Sequence, residues 1–244
     1  MRGAVRSALW IGLFGGVLAA WGWLYMMSGM AGLDVLGRVR GPNMMPLDTF
    51  GTLFPMWAVM MGAMMLPTMV PTLTTYEALM KSADGSRAGW LGVLAGYLAV
   101  WIGFAALISG AQLGLLSLGL VDALGAATSK WLAAALMILV GLFQFTRAKE
   151  VCHGVCHAPM HYFLGHWRPG GAGGLRMGLG LGTFCVGCCW GFMALGFFGG
   201  VMSLLWMGLA TLFMVFEKLP QIGHRLIRPA GWALIAGGIV AALT

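Results

Sequence analysis

Residues 177–216 read MGLGLGTFCVGCCWGFMALGFFGGVMSLLWMGLATLFMVF, 40 consecutive positions without an Asp, Glu, Lys, Arg or His. A helix that crosses a bilayer needs about 20 apolar residues. The stretch is therefore two spans in succession, and Gly199-Gly200 near its middle supplies the tight hairpin between them. The rest of the chain agrees. Of 244 residues, 60% are hydrophobic and only 9% charged, with a mean hydropathy of +0.88. Seven acidic and 14 basic side chains could not coat a water-soluble particle of 25.8 kDa, which excludes an ordinary soluble domain. Forty glycines at this apolarity suit close helix packing in lipid rather than disorder.

Working outward from that pair, apolar runs define seven candidate helices, at 8–27, 50–79, 89–113, 131–145, 177–198, 201–216 and 231–243. The last is short, and without it the count is six. Arg2 and Arg6 ahead of the first run resemble a signal peptide, but the run is long enough to span and no cleavage site leads into a soluble domain. It reads as a retained first helix. Seven spans divide the basic residues 11 to 3. One side takes Arg2, Arg6, Lys81, Arg87, Arg147, Lys149, Arg168, Arg176, Lys218, Arg225 and Arg228; the other takes Arg38, Arg40 and Lys130. The positive-inside rule puts the N-terminus in the cytoplasm. The net charge of +7 is then a topology signal, and no nucleic-acid partner is expected. The expected architecture is all-α, a polytopic membrane helix bundle forming one domain over 1–244, with a cytoplasmic Cys/His loop at 146–176.

That loop carries Cys152, His153, Cys156, His157, Pro159 and His161. On a helix, Cys152 and Cys156 lie one turn apart, and His153, His157 and His161 form a neighbouring stripe at the same spacing. Pro159 should bend or stop such a helix. The fifth span holds Cys185, Cys188 and Cys189, roughly 13 Å into the membrane from Arg176 at 1.5 Å per residue. Thiolate and imidazole are ligands for copper, zinc or an iron–sulfur site. Cys-x-x-Cys is also a redox dithiol spacing, but no nearby basic residue in sequence activates these thiols. The bland alternative is that each cysteine is a small buried hydrophobe. Two clusters in one chain make coincidence the poorer explanation. His166 and His224 read as interfacial polar residues.

Methionine supplies a third feature. Eleven of 20 fall between Met26 and Met69, and Met60, Met61, Met64 and Met65 pair at i, i+4. Thioethers bind Cu(I) or Ag(I) and little else, while methionine also fills gaps between helices. Pro67 and Pro71 should kink the second span and free carbonyls that a Thr hydroxyl, water or a ligand must satisfy. Glu77, Glu150 and Glu217 sit near helix ends, and Lys149-Glu150 and Glu217-Lys218 read as local charge pairs. No Ser-His-Asp set, phosphate loop or haem-attachment motif occurs, so the chain reads as a binding protein rather than an enzyme.

Together these blocks resemble a bacterial family of predicted metal-binding integral membrane proteins of unknown function. The blocks occur in the family's order: Met60-Met61-x-Ala63-Met64-Met65-Leu66-Pro67, then Cys152 and Cys156 with Pro159, then Cys185-Val-Gly-Cys188-Cys189-Trp190 with Met193. Gly200-Val-Met202, Trp206-Met207 and Glu217-Lys218 follow. The resemblance implies a multi-span fold with a metal site but supplies no reaction. His157 and His153 depart from its arginine and aliphatic positions.

The leading expectation is thus a bacterial inner-membrane protein that binds a soft transition metal, copper before zinc, for handling or delivery. Its ligands would be Cys152, Cys156, Cys185, Cys188 and Cys189, with His153, His157 and His161 beside them and Met60, Met61, Met64 and Met65 as an outer relay. Expected partners are the lipid bilayer, the metal ion, and a metal-carrier protein or larger membrane complex. The alternatives are an accessory subunit of such a complex and a membrane thiol–disulfide oxidoreductase.

Overall fold

A computed structural model describes residues 2–45, 47–219 and 222–243. The described residues form helices α1 (Arg2–Met30), α2 (Phe50–Met65), α3 (Val70–Leu79), α4 (Arg87–Ser117), α5 (Lys130–Phe143) and α6 (Arg147–His157). These are followed by α7 (Pro159–His166), α8 (Gly170–Ala194), α9 (Gly196–Gly199), α10 (Leu204–Glu217) and α11 (Gly223–Leu243). Named strands are absent among the described residues, and two isolated β-bridges, Leu33 to Val39 and Val121 to Ala127, close loops. Five stretches are long and apolar enough to cross a membrane: 3–30, Phe50–Leu79, Arg87–Ser117, 170–199 and Gly223–Leu243. A sixth is α5 with α6, if a pair bent by 67° counts as one span. The short seventh candidate thus lies in a helix of sufficient length, Gly223–Leu243, whereas the sixth candidate, at 201–216, is α10, which is apolar but has 14 residues, about 21 Å of helix against a hydrocarbon core of about 30 Å.

The seam that organises the bundle joins α4 to α8, and glycine makes it. A Cβ built at Gly92 or Gly96 would collide with a main-chain carbonyl of α8, and one at Gly174 or Gly178 with a carbonyl of α4. The two backbones lie in direct contact along about three turns, which is what small residues permit between helices. Gly141 and Gly238 do the same between α5 and α11.

The proline breaks behave as expected. Between α2 and α3 the chain makes a short 3-10 turn, Pro67–Met69. Pro67 has no N–H for the carbonyl of Ala63, and the Trp21 indole of α1 donates to it instead at 3.2 Å. The Thr68 hydroxyl donates to the Met65 carbonyl at 2.8 Å. The Gly199-Gly200 hairpin also forms, with Gly200 at a φ of 83°. Two loops clamp it: Leu205 donates its N–H to the Val35 carbonyl, and Ala127 to that of Phe197. In the first of these loops Asp34 accepts from Arg38, Arg40 and Leu36, and the Arg38 N–H above all holds its carboxyl below the usual range.

The 146–176 segment is not an open loop. The chain turns at Gln144–Thr146, Thr146 caps α6 by accepting from the Lys149 N–H at 3.2 Å, and α6 folds back against α8. Pro159 stops α6 and starts α7 at its first turn, as the sequence predicts. Ring contacts then pin α7. Tyr76 of α3 lies 5.0 Å from Trp167 and 5.7 Å from Phe163, and the Tyr162 hydroxyl donates to the Met177 carbonyl at 3.1 Å.

Candidate metal centre

Because α6 packs on α8, the two cysteine motifs meet. The sulfurs of Cys156, Cys185 and Cys188 all lie within 4.8 Å of one another, and all three residues are buried. Cys188 Sγ is 3.8 Å from Cys156 Sγ and 3.2 Å from Cys189 Sγ. Two sulfurs bound to one tetrahedral metal at about 2.3 Å stand about 3.8 Å apart, so this spacing suits a shared ion. A disulfide needs about 2.05 Å between sulfurs, and all five cysteines are free.

Other predicted ligands divide into two groups. Cys152 is half-buried and stands against Gly187, outside the trio. His153 is buried, and its Nε2 makes a 2.8 Å hydrogen bond with the Glu217 carbonyl. His157 stacks on His153 at 5.1 Å between ring centroids and meets His224 edge-on at 6.3 Å. His153 and His224, but not His157, line a cleft of about 860 Å³ together with Lys149, Glu150 and Arg228. His161 is exposed on α7 and joins neither group. Met60, Met61, Met64 and Met65 are all buried in the core.

The charged frame of the site is what the sequence did not reveal. Lys149 is fully buried; its ammonium pairs with Glu217 at 2.5 Å and donates to the Cys188 carbonyl at 2.9 Å. Lys218 is also buried, and donates to Cys185 Sγ at 3.0 Å and to the Thr68 hydroxyl at 2.9 Å. The Tyr97 hydroxyl completes this side, 3.0 Å from Cys185 Sγ and 3.2 Å from Thr68 Oγ1. Three sequence expectations are corrected here. Lys149 and Lys218 belong to the interior and not to the loop charges. Glu217 pairs with Lys149, 68 positions away, rather than with its neighbour. The thiols do have basic partners, supplied by tertiary contact. One signal was available: Lys149, His153 and Cys156 share a face of α6. A lysine on the face that also carries the buried Cys156 points inward with it.

Chemically, the arrangement offers soft sulfur ligands in a buried space, with two ammonium groups and one carboxylate close by. Buried charge is tolerated only when paired in this way. The described residues form an all-helical bundle with helices of membrane-spanning length and a buried cysteine cluster with the spacing to hold a metal ion. A family model described as "PpoB2: Copper chaperone" matches residues 54–241, more than half of the chain, and the chain belongs to that family. No curated protein matches it. No solved structure matches it either. The family and the buried cysteine cluster support metal handling, with copper as the metal.

Proposed function

We propose that this chain is a bacterial inner-membrane copper carrier that holds Cu(I) as cargo between Cys156, Cys185 and Cys188 and delivers it to another protein. The observation that supports it is the meeting of three buried thiols from two helices within the reach of one ion. Thiolates select Cu(I) among physiological metals, with Zn²⁺ the nearest competitor. Cys189 lies beside Cys188 and outside the trio. Lys218 and Lys149 supply the positive charge that lets thiolates persist without water. The apolar surfaces of α1 and α11, which expose Ile11, Leu18, Trp232 and Val240, suit lipid or a larger membrane complex.

The cleft beside His153 and His224 is the approach to the site, since Lys149 lines it and also touches Cys188. Cys152, His153 and His157 are then way-stations between the cleft and the trio. The thiol–disulfide alternative has a cation next to Cys185 in its favour. However, the four clustered thiols are no more than 6% exposed, which withholds them from another protein's disulfide.

Copper content of the gently purified protein, in detergent and under reducing conditions, tests the proposal. Cys185→Ser with Cys188→Ser should abolish tightly held copper, while Cys152→Ser should keep it. Unchanged copper in the double variant would overturn it.

A further inference from the structure

Toward the Gly200 end of α8 the interior changes character. Met193, five residues beyond Cys188, borders a small, partly enclosed void of about 10 Å³ together with Met60 and Met64 of α2 and Met207 of α10. All four methionines are 2–3% exposed, and the rings of Phe192 and Trp206 complete much of the wall. The volume is about that of one water-sized particle. Water needs several polar partners, and among the side chains of this lining the Trp206 indole N–H is the single hydrogen-bond donor and none is charged. A soft cation needs something else. Thioether sulfur is a ligand for it, and aromatic rings attract positive charge.

We propose that Met60, Met64, Met193 and Met207 form a second metal site, a neutral thioether site for Cu(I) that also accepts Ag(I). It deepens the copper reading of this chain and lies about 7.5 Å along α8 from Cys188. Met64 also precedes by one turn Thr68, which bonds Lys218 of the thiol cluster. Neutral ligands provide no counter-charge, so the site takes a monovalent soft ion, rejects Zn²⁺, and holds its ion more loosely than the thiols do. Met61 and Met65, buried but absent from the lining, are packing residues by this assignment.

The test is Ag(I) stoichiometry of the full chain in detergent, measured with and without excess free methionine as a thioether competitor. The wild type should bind two equivalents, one of them released by methionine. Met193→Leu with Met207→Leu, which nearly conserves volume, should lose that releasable equivalent and keep the other. Met60→Leu with Met64→Leu approaches the same void from α2 and should do likewise, so failure of one variant to fold leaves the other decisive. Retention of both equivalents in the folded leucine variants would overturn the proposal, as would binding of the releasable equivalent by Zn²⁺. Cys185→Ser with Cys188→Ser should keep the releasable equivalent and lose the tight one. If those serine changes alter nothing while the leucine changes do, the thiol reading fails and the thioether site stands.

Discussion

Two sulfur-lined places on one helix, the thiol trio around Cys188 and the thioether void around Met193, differ chiefly in what stands behind the sulfurs. Behind the thiols are two buried ammonium groups, a buried carboxylate and a phenol. Behind the thioethers are aromatic rings and aliphatic carbon. The contrast leads to the expectation that the charged frame, rather than the count of soft atoms, sets how tightly an ion is held at each proposed site. An anionic ligand in an apolar interior has to be neutralised, and the fold spends three of its few charged residues doing so. A neutral ligand needs none of this and confers less.

The largest expected effect breaks that frame at Lys149. Lys149→Met alone strands the buried Glu217 carboxylate and should cost about 3–5 kcal/mol of stability. Lys149→Met with Glu217→Leu should recover most of the loss, and denaturant unfolding of the three proteins in detergent measures it. Lys218→Met comes next. It removes a charge-assisted contact to Cys185 worth about 1.5–3 kcal/mol, which is roughly 10- to 100-fold in copper affinity. A competition titration should show this loss while the methionine-releasable Ag(I) equivalent stays unchanged; equal loss at both places would erase the distinction.

Gly178→Ala probes the seam that carries both places. Its Cβ meets the Val93 carbonyl, and overpacking of that kind should cost about 1–3 kcal/mol, read as a lowered thermal midpoint. The smallest effect lies at the periphery. Arg6 pairs with Glu77 at 2.9 Å, but its side chain is 60% exposed. Arg6→Gln should change stability by less than about 1 kcal/mol, and by less still at high salt.

Much of the fold was legible because its causes are local. The uncharged 177–216 stretch, the Gly199-Gly200 turn and the Pro67 break are each decided by neighbours in sequence. The cysteine motifs were legible as a pattern, since thiols at helical spacing are uncommon without a use. The charged frame was not, for a physical reason. Lys149 and Glu217 look like loop charges until α6 folds back, and that reversal depends on the bend at Gln144–Thr146 and on a pair 68 positions apart. The histidine stripe divides at the predicted proline: α6 ends at His157 and Pro159 starts α7, so His161 falls on a different helix from His153 and His157.

The central claim, that Cys156 on α6 and Cys185 and Cys188 on α8 share one copper ion, is tested most directly by copper K-edge X-ray absorption. The right background is Met193→Leu with Met207→Leu, which leaves the thiol cluster intact. The account predicts a shell of sulfur alone at about 2.3 Å, and the loss of one sulfur from that shell when Cys156→Ser is added. A shell dominated by nitrogen, or a sulfur count untouched by Cys156→Ser, would contradict it.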